Sequence, residues 1–333
     1  MKVKDKYDVI VIGAGVGGLT VAGLCAQKGL KTALIEQCDR VGGRAMTFRG
    51  EEIQSNGGAW YRSMLGSQFS WLPYAKPSLD TIILEKMLQG YTLDVGYHGV
   101  ALNGEGYFRD LDEILGSGVE MKGNVNSTYV GDEWYLDFHA GQFDPRIQEI
   151  IKSHKVPFVK FYMASSQMTD EQFSDLEKVS VTQWCKDNGL YEDKTVFGMI
   201  HAVSTLITTI NDPDDISIGD IFRYMGTIIN PRFISGKAKY PSGFAYGGIM
   251  RWSQAVAAKF VEFGGDLFMN TKVKEIIITD DRVQGVRVKT EDGKSLSITA
   301  DKVVSNIPVQ KTFKVADKSC FPTEWADRME NLY

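Results

Sequence analysis

The sequence predicts an α/β protein in which a parallel sheet opens with a strand–turn–helix–strand unit. A mixed, largely helical stretch follows, and after it a β-rich segment. Three observations carry this reading. Tyr7–Ile12 (YDVIVI) is an unbroken apolar run rich in β-branched residues, the pattern of a strand covered on both faces. Leu19, Ala22 and Ala26 then recur at helical spacing, and the run stops at Gly29, a residue favoured just past a helix C-terminus. Far downstream, residues 270–276 and 283–288 alternate as half-buried strands, the turn pair Asp292-Gly293 follows, and 300–306 reads as a buried strand.

The link between the first strand and the helix is Gly13-Ala14-Gly15-Val16-Gly17-Gly18, so Gly13, Gly15 and Gly18 meet the spacing G-x-G-x-x-G. Gly13 permits a tight turn, Gly15 lets the backbone approach a pyrophosphate, and Gly18 lets helix and strand pack closely. The helix N-terminus offers unpaired N–H groups and a partial positive charge to the same phosphates. Residues 31–35 read as a second strand ending in Glu36, eighteen residues after Gly18, where a carboxylate can accept hydrogen bonds from a ribose diol. Strand, glycines, helix, strand and acid in this order define a Rossmann-like dinucleotide-binding unit. Glu36 suits NAD and FAD equally.

Asp39-Arg40-Val41-Gly42-Gly43-Arg44 follows the acid at once. Here the chain resembles the flavin-dependent amine oxidase and phytoene desaturase superfamily, and within it the phytoene desaturase-like dehydrogenases. The resemblance implies FAD as cofactor, with Gly42 and Gly43 wrapping its flavin side and Arg44 against its phosphate and ribose. A forked, fixed positive charge suits that place. The resemblance also implies that residues 264–306 return to the FAD domain and that Val273 holds the adenine through its backbone. Residues 91–98 (YTLDVGYH) resemble the family strand that passes close to the isoalloxazine ring, whereas 56–60 (NGGAW) resemble the corresponding amine-oxidase strand. The first is preferred, because its match continues into Gly104-Glu105-Gly106. On that choice residues 50–89 are an insertion, and His98 is a candidate for contact with flavin or substrate, set against the commoner structural role of a lone histidine.

The expected architecture is therefore a discontinuous FAD-binding domain, residues 1–50 plus 240–310, and an α+β, largely helical substrate domain, residues 51–239. Within the latter, Thr169 with Gln172 and Ser180 with Gln183 have capping-box spacing, and 194–210 and 216–229 are apolar on several faces. Members of the superfamily end with a strand, a Gly-Asp pair and a helix that anchors the pyrophosphate a second time. The Gly-Asp pairs at Gly131, Gly219 and Gly265 lack that context. Residues 311–333 are accordingly expected to begin a part that is missing or supplied by a second polypeptide, which would make a hetero-oligomeric, split flavoenzyme.

Composition bounds the partners. With 42 acidic and 37 basic side chains the net charge is −5, which gives no footing for a nucleic-acid backbone. Cys25, Cys38, Cys185 and Cys320 form no Cys-x-x-Cys pair and no zinc spacing, so no metal and reduced, cytoplasmic thiols are expected. No window reaches the roughly eighteen apolar residues a membrane span needs. Residues 156–163 (VPFVKFYM), aromatic with lysines at the margins, suit either a bilayer surface or, given Pro157 and the short length, ordinary core. No second strand-bound G-x-G-x-x-G is present, so a built-in NADPH domain is not expected.

The resemblance implies an FAD-dependent dehydrogenase or desaturase that takes hydride from a C–H bond of a hydrophobic, isoprenoid-like substrate. The alternatives are a flavin amine oxidase and a non-catalytic lipid-escort or structural subunit of the same fold.

Overall fold

A computed structural model describes residues 3–54, 76–96, 99–101, 106–123, 129–130, 133–134, 149, 152–166, 168–229 and 242–331. The chain forms two compact units, Met1–Gly99 with Arg109–Lys122 and Phe244–Tyr333, and Val100–Phe108 with Gly123–Gly243.

The first unit is built on a six-stranded sheet. From one edge the order is Asp266–Phe268, Thr32–Ile35, Tyr7–Ile12, Ser295–Ser305, Arg282–Lys289 and Lys272–Thr279. The first four pair in parallel, with Val9 opposite both Thr32 and Lys302; the last two add antiparallel. Tyr7, Ile10, Ile12, Ala33 and Ile35 share one core with Val286, Val288, Ile298 and Ala300. Ser295–Ser305 does two jobs. Residues 295–299 pair antiparallel with 285–289, and residues 300–305 run parallel to the first strand. The sequence reading places only the second half in a strand, because Ser295–Ser297, exposed in the structure, carry a single apolar residue, Leu296.

Beyond residue 306 the chain folds back. Ala316, with the partly buried Val315 and Phe321, joins the sheet core, and Ile276 N–H donates to the Val315 carbonyl at 2.5 Å.

The helix Val16–Gln27 buries Gly18, Leu19, Ala22, Gly23 and Ala26. It ends as its sequence requires: Gly29 takes φ +82° while Gly29 N–H and Leu30 N–H donate to the Ala26 and Cys25 carbonyls. A second helix, Met250–Glu262, packs beside it; a Cβ on Gly23 would lie 3.6 Å from Val256.

The second unit is mostly helical, with Lys155–Ser166, Asp170–Asp175, Val181–Asp187, Lys194–Thr208 and Ile218–Tyr224, the last continued by a π-helical turn, Met225–Ile229. Thr169 and Gln172 form the full reciprocal capping box. Ser180 gives half of one: its hydroxyl accepts from Gln183 N–H at 3.1 Å, but the Gln183 amide turns to Asp187 at 2.7 Å. Residues 156–163 lie within a helix whose first turn holds Pro157, where a missing N–H costs nothing, and Phe161 is buried. Its ring meets Phe222 at 5.5 Å and Trp184 at 6.1 Å, and those two meet edge-on at 5.0 Å. Among the described residues no helix is long and apolar enough to cross a membrane.

Phe222 is fully buried at the centre of this cluster. Phe222→Ala is expected to lower unfolding free energy by about 3–5 kcal/mol, read from urea denaturation followed by circular dichroism. A loss under about 1 kcal/mol would show that the ring is not a core element.

Candidate cofactor site

The site forms at the carboxyl ends of the parallel strands, where open α/β sheets bind ligands. Tyr7–Ile12 runs into Gly13, which takes φ +93°, and a Cβ there would stand 3.2 Å from Ile307 Cγ2 and 3.3 Å from the Asn306 carbonyl. Gly18 is tighter still: a Cβ would sit 1.9 Å from the Gly13 carbonyl oxygen, so only glycine lets the helix start against the strand. Gly15 is different. Its φ of −71° is open to any residue, and a Cβ would meet only Asn306 Nδ2 at 3.4 Å and Gly43 Cα at 3.9 Å. Glycine at 15 is therefore not demanded by the packing of the protein itself, since a Cβ there meets only ordinary van der Waals contacts. The helix that starts there has no side-chain cap and no acid in its first turn, so among the described residues nothing neutralises its N-terminus.

Glu36 is buried beside this turn. Its Oε2 accepts from Ala14 N–H at 2.7 Å and its Oε1 from Cys38 N–H at 2.9 Å. An ionised carboxylate has about four acceptor positions, so two protein bonds leave capacity for ribose hydroxyls. The Glu36 backbone is clasped by the return segment. Glu36 N–H donates to the Phe268 carbonyl at 2.9 Å, Thr271 N–H to the Glu36 carbonyl at 2.8 Å, and Asn270 N–H to the Cys38 carbonyl at 3.1 Å. Burial, seconded by the Glu36 charge, pushes the Cys38 thiol up to about 11, so it stays neutral and adds no negative charge beside the acid. Val273 follows two residues past Thr271, buried and in register opposite Val288.

The segment after the acid folds back onto the glycine turn. Gly42 N–H donates to the Ala14 carbonyl at 2.8 Å, and Gly42 bridges Gly15 in parallel fashion. Gly43 takes φ +61°, and a Cβ would come within 3.1 Å of Gly15 Cα. Arg44 is exposed and meets no carboxylate among the described residues. From it leads the strand Ala45–Arg49, paired antiparallel with Thr92–Gly96 so that Ala45 faces Gly96. Of the two candidates for the strand near the flavin, 92–96 thus lies beside the strand leaving Arg44. Residues 56–60 and His98 lie outside the described residues.

Gly13, Gly15, Gly17, Gly18, Glu36, Gly42, Gly43 and Arg44 are so brought to one place, with Val273 joined to it through the clasp on Glu36. Asn306 was missed by sequence reasoning. Its side chain lies over the turn, 2.7 Å from where a Gly17 Cβ would be. Its position just past the strand beside Tyr7–Ile12 was the available signal. Among the described residues no three metal-ligating side chains cluster.

Residues 11–77 match the family model described as NAD(P)-binding Rossmann-like domain, and residues 214–314 that of flavin containing amine oxidoreductase. Over 92% of its length the chain is 22% identical to the lycopene-forming phytoene desaturase of Pseudescherichia vulneris. Over 96% it is 26% identical to the neurosporene-forming enzyme of Rhodobacter capsulatus. The chain spans 56% of the length of each. Cyclohexylamine oxidase from Brevibacterium oxydans shares the fold, with a TM-score of 0.60 at 18% identity over 97% of this chain and 62% of that one. Fold and glycine turn together define a Rossmann-like dinucleotide-binding protein. The chain is similar to proteins of the FAD-dependent amine oxidase and phytoene desaturase-like superfamily, and these matches support FAD as its cofactor. The site fits that molecule: a glycine at 15 that packing does not demand and an uncapped helix N-terminus for the pyrophosphate, a buried acid with spare acceptors for the ribose, and an exposed guanidinium alongside.

The three kinds of contact separate by mutation. Gly15→Val is expected to leave the melting temperature of the FAD-free protein close to that of the parent while lowering FAD affinity at least about tenfold. Gly18→Ala is expected to destabilise the protein itself by about 1–3 kcal/mol. Equal stability effects for the two, by differential scanning fluorimetry without FAD, would refute the distinction. Glu36→Ala should do both, because it also strands Ala14 and Cys38 N–H groups at about 1–3 kcal/mol each when buried.

Proposed function

We propose that this chain is the FAD-binding part of an oxidoreductase that removes hydride from a C–H bond of a hydrophobic, polyene or isoprenoid-like substrate, a dehydrogenase or desaturase. The observation that carries the reading is the glycine turn flanked by Glu36 and the Gly42-Gly43-Arg44 loop, set in a chain that aligns with two phytoene desaturases over more than nine-tenths of its length. Bound FAD would supply the hydride acceptor, and the proton lost from the neighbouring carbon as the double bond forms would pass to water. The chain's own residues bind and orient. N-terminal N–H groups of the helix Val16–Gln27 and the Arg44 guanidinium hold the pyrophosphate, Glu36 the ribose, and Val273 the adenine through its backbone. His98 is proposed to touch flavin or substrate, and the helical second unit to be the substrate domain.

A second reading, flavin amine oxidase, is favoured by the family model over residues 214–314. The two are separated by anaerobic mixing of the FAD-loaded protein with a detergent-solubilised linear polyene or with an alkyl amine. Bleaching of the flavin absorption by the polyene and not by the amine is expected. Bleaching by the amine alone would overturn the desaturase reading.

A further inference from the structure

The helix Met250–Glu262 starts from Ile249, which provides no side-chain cap. Its first N–H groups go instead to two side chains far away in sequence. Ile249 N–H donates to Asp94 Oδ1 at 3.1 Å, and Met250 N–H donates to Thr47 Oγ1 at 3.0 Å. The Thr47 hydroxyl in turn donates to Asp94 Oδ1 at 2.5 Å. Thr47 is buried, and the two residues face each other in register across the strand pair Ala45–Arg49 and Thr92–Gly96. The fit leaves no slack. Gly248 has φ +97°, and a Cβ there would lie 2.2 Å from Thr47 Cγ2 and 2.8 Å from Asp94 Oδ1.

This junction lies next to the cofactor loop. A Cβ at Gly42 would stand 3.5 Å from Met250 Cγ, while Gly43 packs against Gly15. Thr47 is also only three residues beyond Arg44. We propose that Asp94, acting through Thr47, is a positioning residue: it ties strand and helix so that Gly42, Gly43 and Arg44 are held against the glycine turn, and it thereby sets the affinity for the flavin half of FAD. A helix N-terminus is a favourable seat for a carboxylate, and a hydroxyl that donates to the acid while accepting from the helix makes the contact directional. The proposal rests on the FAD reading above. The adenosine half is assigned elsewhere, to Glu36, whose backbone the residue 268–271 clasp holds, and this separation makes the proposal testable.

Titration calorimetry of the chain and its Asp94→Ala, Asp94→Asn and Thr47→Val variants with FAD and with AMP reads the two halves separately, since AMP carries the adenosine and one phosphate but no flavin. Asp94→Ala and Thr47→Val are expected to lower FAD affinity at least about tenfold and to leave AMP affinity within about threefold. Asp94→Asn keeps an acceptor oxygen for Ile249 N–H and is expected to restore most of the FAD affinity. Equal losses for FAD and AMP, or no loss of FAD affinity in folded Thr47→Val, overturn the assignment. An unmutated chain that binds AMP but not FAD overturns the FAD reading itself.

Discussion

The Glu36 carboxylate is the point on which the first unit turns. One oxygen fixes Ala14 in the glycine turn and the other fixes Cys38, so the acid braces the end of the second strand against the end of the first. Its own backbone is held by Phe268 and Thr271, which brings a segment more than two hundred residues away into the same place. A carboxylate buried this way is stable only because both oxygens have donors. The acid expected to serve a ligand therefore also serves the fold, and its spare lone pairs are aimed by the bonds it already makes.

Two helices of this unit treat their N-termini in opposite ways. Val16–Gln27 has no side-chain cap and no acid in its first turn, whereas Met250–Glu262 has its first N–H groups taken by Asp94 and Thr47. Capping by a side chain is worth about 1 kcal/mol, so an uncapped start is a sacrifice of stability. The sequence accepts it at one helix and avoids it at the other. The partial positive charge left at Val16 is then available to an anion, and the one at Met250 is already neutralised. An uncapped helix end beside a buried acid and an exposed arginine is what a dinucleotide requires; two uncapped ends would leave its place ambiguous.

Much of this was legible in the sequence because the chemistry is local. The glycine spacing, the strand before it, the Gly29 stop and the position of Glu36 all lie within thirty residues and obey simple periodicities. What stayed hidden depends on residues that meet only after folding. Thr47 and Asp94 are 47 positions apart and Asp94 is 155 from Ile249, and nothing in either neighbourhood marks them as a cap. The first half of Ser295–Ser305 stayed hidden because it opens on three exposed residues, Ser295 to Ser297, although its register is as regular as that of the second half. The box at Ser180 had the right spacing, but a competing acceptor at Asp187 drew the glutamine away.

The long strand Ser295–Ser305 also explains why the β-rich segment and the glycine turn act together. At one end it is zipped to Arg282–Lys289, whose partner Lys272–Thr279 follows directly from the loop that clasps Glu36. At its other end it runs beside Tyr7–Ile12, and Asn306 N–H closes onto the Ile12 carbonyl at 2.9 Å. That bond sets the Asn306 side chain over Gly15 and Gly17. One uninterrupted strand thus couples the acid's clasp to the roof of the turn. A register slip of one residue in the meander would carry Asn306 off its place and, because strand side chains alternate, would turn Ile298 and Ala300 out of the core. The apolar pattern of the meander therefore helps to hold Asn306 over the glycine turn, and a segment without chemistry of its own keeps the turn in shape.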